Sequence, residues 1–270
     1  MASVTPVAEA FLIACEKNDI DRVKELLPNR WVKEVFVNPI LKKGSALEIT
    51  VRNGSYELLE ILLVDGRAKV SEVFYWGCCY GDLELVQELL ASYEGKENLG
   101  LNLGFYAAGV EGRINIVKLL LLNSKLDPSG CNNGALYWCC LNGNEQMARI
   151  LLDDLRVDPN YPNNLPIGVA GKGGNLNIVK MLLAHPKIKP NEWTFSTIYW
   201  PWAYRHYDVV TLLLGRMDLS LANMLPISSV MLTSVTNPQA MHPSKLPTLD
   251  KDGVSWIAYI AKDVEMDMVQ

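Results

Sequence analysis

The chain has 270 residues, 49% of them hydrophobic, and a net charge of −5, enough for a large core but without the clustered Lys and Arg that a phosphate-binding surface needs. Nucleic acid is therefore not expected as a partner, and the short Lys42-Lys43 pair reads as solvated surface. No stretch approaches the roughly 20 apolar residues that span a bilayer, and the amino-terminal run Phe11–Cys15 meets Glu16 and Lys17 at once, unlike a secretory leader, so a soluble intracellular protein without a membrane partner is expected, cytoplasmic with the nucleus as the alternative.

Along the chain one phrase recurs seven times: Gly-x-apolar-x-apolar-Val-polar-x-Leu-Leu. With its Gly, or the residue standing in for it, as position zero, the copies start at Asn18, Gly54, Gly81, Gly112, Gly143, Gly174 and Arg205. The first two intervals are 36 and 27 residues and the last four are all 31. A fixed period of this length is the mark of one small unit stacked on itself.

The units read as follows. Seven residues before zero stand Phe11, Leu47, Phe74, Phe105, Leu136, Ile167 and Ile198, with small residues such as Ala14, Cys78, Ala108, Cys139, Cys140 and Ala170 three or four places on. This predicts a first helix that approaches its neighbours closely. After zero, apolar residues at +5 (Val23, Leu59, Val86, Val117, Ala148, Val179, Val210) and the leucine pairs at +8 and +9, from Leu26-Leu27 to Leu213-Leu214, flank a polar +6. That spacing makes one buried stripe on a second helix. Pro128, Pro159 and Pro190 then occupy one offset in three successive copies and close their units, since proline lacks the amide donor a helix needs. The predicted unit is helix, turn, helix, loop.

This pattern resembles the ankyrin repeat, whose phrase is Thr-Pro-Leu-His-x-Ala followed by Gly-His-Leu-x-x-Val-x-x-Leu-Leu. Local matches are Ser45-Ala46-Leu47-Glu48 with Asn53-Gly54, Leu165-Pro166-Ile167 with Ala170 and Gly174, and Arg205-His206-Tyr207-Asp208-Val209-Val210. The family histidine is replaced by Tyr75, Tyr106, Tyr137 and Tyr199 in four copies, where a hydroxyl is expected to serve a neighbouring backbone group. The resemblance implies an all-α solenoid of stacked helix-turn-helix repeats forming one elongated curved array over residues 1–222. Residues 223–270, where Leu225-Pro226-Ile227 copies Leu165-Pro166-Ile167, are expected to hold a degenerate eighth unit, interrupted by Pro238, Pro243 and Pro247, and a truncated ninth or cap with Asp263, Glu265 and Asp267.

Nothing in the chain reads as catalytic. His185, His206 and His242 lack a matched Cys, Ser or carboxylate at a motif spacing, and Gly171-Lys172-Gly173-Gly174 lacks the phosphate-loop signature. Asp153-Asp154 and Asp158 lack the alternating ligands of a cation loop. The adjacent pairs Cys78-Cys79 and Cys139-Cys140 fall two repeats apart, about 20 Å if helices pack about 10 Å apart, and cannot share a metal. The cysteines are read as reduced, mostly buried side chains, and no metal or cofactor is expected. The recurring Tyr75-Trp76, Tyr137-Trp138 and Tyr199-Trp200 are read as core packing, with partial exposure on the face of the first helices as the alternative.

The resemblance implies a protein-binding scaffold or adaptor, an expected monomer without enzymatic activity, that grips a partner protein through its concave face and loop tips. The positions it marks are Arg52, Asn53, Tyr80, Glu111, Asn142, Lys172 and Tyr204 just before the central glycine, with tips at Asn102, Asn133, Tyr161, Asn164, Trp193 and Phe195. The alternative is a targeting fragment of a larger enzyme, effector or ubiquitin-ligase adaptor whose active module lies elsewhere.

Overall fold

A computed structural model describes residues 6–29, 32, 45–66, 68–93, 99–161, 165–189 and 195–216. Among them are helices alone, and they fall into seven consecutive pairs, one per copy of the phrase. The pairs are α1 (Pro6–Glu16) and α2 (Ile20–Leu26), α3 (Ala46–Arg52) and α4 (Tyr56–Val64), α5 (Val70–Tyr80) and α6 (Leu83–Ser92), and α7 (Leu101–Val110) and α8 (Ile114–Leu121). There follow α9 (Gly130–Asn142) and α10 (Glu145–Leu152), α11 (Leu165–Lys172) and α12 (Leu176–Ala184), and α13 (Phe195–Ala203) and α14 (Tyr207–Leu214). The expected units at 223–270 lie outside the described residues.

Position zero is where each first helix stops. All seven zero residues have positive φ, from 53° at Asn18 to 85° at Gly81, and Arg205 holds 66°. In six copies the amide of the next residue then reaches back five residues to a first-helix carbonyl, as Asp82 N–H does to Gly77 at 3.0 Å and Arg113 N–H to Ala108 at 2.7 Å. That left-handed stop with a six-to-one bond is the Schellman motif, and it explains why glycine, free of the Cβ penalty, fills five of the seven places. In two copies the following residue caps the second helix through its side chain: Asp19 accepts from Arg22 N–H and Asp82 from Leu85 N–H.

The core is the predicted one, with a division inside the leucine pair. The −7 residues and the +5 residues are buried in every copy, and the +8 leucines Leu62, Leu89, Leu120, Leu151, Leu182 and Leu213 are buried with them. The second leucine is half-buried in most copies, at Leu63, Leu90, Leu121, Leu183 and Leu214, and reaches full burial at Leu152. One buried leucine is worth about 1.5–3 kcal/mol in water-to-core transfer, so the +8 position carries more of the stability than its neighbour.

Backbone contacts divide the chain into two units, Met1–Cys139 with Gln146–Asp158 and Cys140–Glu145 with Pro159–Gln270. In the first, α5 packs on α3 and α7, and small residues bring the first helices close. A Cβ on Gly109 would stand 2.5 Å from the Cβ and 2.8 Å from the Cα of Ala135, so glycine is the side chain that fits. In the second, α11 packs on α13, and Pro201 sits inside α13, where its carbonyl accepts the His206 amide at 2.8 Å. Within α9 the backbone of Cys131, Asn132 and Asn133 is left-handed, with φ from 53° to 57°, and the regular helix starts after them.

Candidate interaction surface

Within each unit the first helices that pack on one another, α3, α5 and α7 in the first and α11 and α13 in the second, are stopped at the same register. In the first unit this brings together residues far apart in sequence. Arg52, at −2 of its repeat, donates through one nitrogen to both carboxylate oxygens of Glu16, each at 2.8 Å, and lies 3.4 Å from Glu48 Oε1. Glu16 occupies −2 of the preceding repeat, and Asn53 Nδ2 donates to its carbonyl at 3.2 Å. Glu48 is 1% exposed and accepts a hydrogen bond from the Tyr80 hydroxyl. Burial first, then this bond to a carboxylate, push the Tyr80 phenol well above its ordinary value. The Tyr80 ring stacks on Trp76 with centroids 6.0 Å apart. Arg52, Asn53 and Tyr80 are thus held in one network across three repeats, and Glu16 and Glu48 complete it.

The tips divide differently. Asn102 and Asn133 both stand ten residues before zero and tie the start of their first helix to the loop that closes their own unit: Asn102 Oδ1 accepts from Asp127 N–H at 3.1 Å, and Asn133 Nδ2 donates to the Asp158 carbonyl at 2.9 Å. Asn133 is 1% exposed. It is a fastener of the fold and not a surface contact, because the proline loop closes over its amide. Glu111 is exposed at the end of α7.

In the second unit Asn142 and Tyr161 are exposed, and Lys172 and Tyr204 meet. Lys172 Nζ lies 5.2 Å from the centre of the Trp200 ring and 5.7 Å from that of Tyr204, whose side chain is 52% exposed. Trp200 and Tyr204 are themselves 6.2 Å apart. This is a cation held on two aromatic faces. Asn175, just after zero, donates to the Cys140 carbonyl at 2.7 Å, as Arg113 Nε in the first unit donates to that of Cys79 at 2.9 Å. Asn164 and Trp193 lie outside the described residues, and Phe195 opens α13.

The aromatic repeats serve both predicted purposes. Tyr75 and Trp76 are buried, while Tyr137, Trp138, Tyr199 and Trp200 are half-buried. Each pair is edge-on, with centroids 5.0 to 5.4 Å apart. The expected hydroxyl-to-backbone bond is not made by Tyr75, Tyr106 or Tyr137 among the described residues; the rings make the contact instead. Burial pushes the Tyr75 phenol up to about 12 and the Cys15 thiol likewise to about 12. No disulfide joins the six cysteines, and no cluster of metal-ligating side chains forms among the described residues. No helix among the described residues is long and apolar enough to cross a membrane.

Paired antiparallel helices, stopped by a left-handed residue and fastened repeat to repeat through backbone carbonyls, define the class of helical repeat proteins. Residues 74–163 match the family model of ankyrin repeats in three copies, and this stretch belongs to the ankyrin-repeat family. Domains of this family are in general modules of protein–protein interaction and typically carry no catalysis. The search of curated proteins gave no match.

Proposed function

We propose that the chain is a scaffold or adaptor that binds a partner protein through the carboxyl ends of its first helices and the adjoining loops, as a monomeric, intracellular protein without nucleic-acid or membrane partners. The observation that supports this is the division of labour within each repeat. The −7 and +5 places are apolar and buried in every copy, and the +8 leucine in all but the first, whereas the places just before zero hold Arg52, Tyr80, Glu111, Asn142, Lys172 and Tyr204, a set with no shared chemistry. A fixed core with a variable rim is how a repeat array separates folding from recognition.

The test is affinity capture with the intact chain and with a variant changed at three exposed places, Glu111→Ala, Asn142→Ala and Tyr204→Ser. The intact chain should retain a reproducible protein that the variant loses, while the helical circular-dichroism melting curves coincide. Equal recovery by both would overturn the assignment of the surface.

A further inference from the structure

Lys172 and Arg52 occupy the same place, two residues before zero, and differ in how their charge is answered. Arg52, though exposed, is answered by two carboxylates, exposed Glu16 and buried Glu48. Lys172 makes no ion pair with a described carboxylate; its ammonium rests on the faces of Trp200 and Tyr204. Rings hold a cation in position while leaving its outward N–H donors unspent. Arg205, exposed at zero of the next repeat and next in sequence to Tyr204, likewise has no carboxylate partner among the described residues.

The surroundings share this sign. Among the described residues the second unit has six Lys and Arg against two Asp and Glu, whereas the first has ten against eighteen. Over the full sequence the first unit, with sixteen Lys and Arg against twenty-one Asp and Glu, carries the whole net charge of −5, and the second is balanced at nine against nine. A long polyanion needs a run of Lys and Arg, and the second unit offers isolated cations set among aromatic rings. Trp200 and Tyr204 offer flat apolar area beside them, which suits side chains placed between acidic residues.

We propose that the shelf formed by Lys172, Trp200, Tyr204 and Arg205 docks an acidic segment of a partner protein in which carboxylates alternate with apolar residues. This rests on the protein-binding reading and specifies the chemistry of the partner. Carboxylates take the outward donors of Lys172 and Arg205, and the intervening side chains lie on the rings.

The experiment measures anisotropy of a fluorescent peptide alternating glutamate and leucine, titrated with the full chain, beside a peptide alternating lysine and leucine. The acidic peptide should bind and weaken as salt is raised, since the Debye length is about 10 Å at 0.1 M, and the basic peptide should not bind. Lys172→Glu should weaken binding tenfold or more and Tyr204→Ser severalfold, whereas Lys180→Gln, an exposed cation on α12 of the same unit, should change it less than twofold. Equal binding of both peptides, indifference to Lys172→Glu, or preference for anionic vesicles or oligonucleotide over the peptide overturns the proposal. Neutralising Asp263, Glu265 and Asp267 in the full chain should leave affinity unchanged; a gain of tenfold or more would assign the shelf to the chain's own acidic segment and overturn assignment to a partner. If an affinity-captured protein is retained by Lys172→Glu, the acidic-segment inference fails while the protein-binding reading survives; if the intact chain captures nothing, that reading fails first.

Discussion

Gly109 in the first unit and Gly171 in the second both stand three residues before zero, and their neighbours differ: the backbone of Ala135 lies against Gly109, the ring of Pro201 against Gly171, 3.1 Å from where a Cβ would be. Asn18 and Arg205 replace the zero glycine at the two ends of the described repeats, one with a side chain suited to left-handed backbone and one without. Arg52 and Lys172 repeat the lesson at −2, one ion-paired to the preceding repeat and one resting on aromatic rings. The register fixes where a residue stands; the adjoining repeat decides what that place costs or offers.

The largest expected effect tests what the units share. Leu151→Ala in the first and Leu182→Ala in the second should each cost about 2–5 kcal/mol in urea unfolding, since both leucines are fully buried. A loss at one and not at the other would break the equivalence of the +8 core. Next, Gly109→Ala should lower the melting temperature by the equivalent of about 1–2 kcal/mol, overpacking against backbone outweighing the gain in helix propensity. Gly171→Ala should stay within about 0.5 kcal/mol of the parent, because a proline ring can shift by tenths of an ångström where a neighbouring backbone cannot.

Arg205→Gly should stabilise by about 1 kcal/mol by removing the left-handed penalty, and Asn18→Gly should change the midpoint little, the contrast being read by thermal denaturation of the two variants. The smallest effect belongs to the first unit. The Tyr56 hydroxyl donates to Asp82 at 2.8 Å, which holds its phenol up to about 12 against an ordinary 10. This contribution to stability is complete below pH 10 and is lost as the pH rises through about 12. In Tyr56→Phe that increment of alkaline sensitivity should be absent from melting curves taken across the range.

Much of the fold was legible because its determinants are local. A helix stop that demands positive φ selects glycine at zero, and an apolar stripe selects valine and leucine at +5 and +8, so both leave a periodic trace. The surface was legible only as a set of positions. Glu16 and Glu48 share the −2 and −6 offsets of the repeat, yet their pairing with Arg52 depends on which side chains neighbouring repeats bring opposite one another. Asn133 is a tip by the position that the resemblance marks, and its burial follows from the Asp158 loop folding over it. Trp200 was visible as a recurring aromatic, but its role under Lys172 required the contact across 28 residues of sequence.

Arg113 and Asn175 each grip a backbone carbonyl of the preceding repeat, and Asn133 grips one of the following loop. Every residue has a carbonyl, so such a joint is indifferent to the identity of what it holds. The residue whose carbonyl is held can accordingly change without loosening the seam, provided that the gripping side chain of the neighbouring segment is kept.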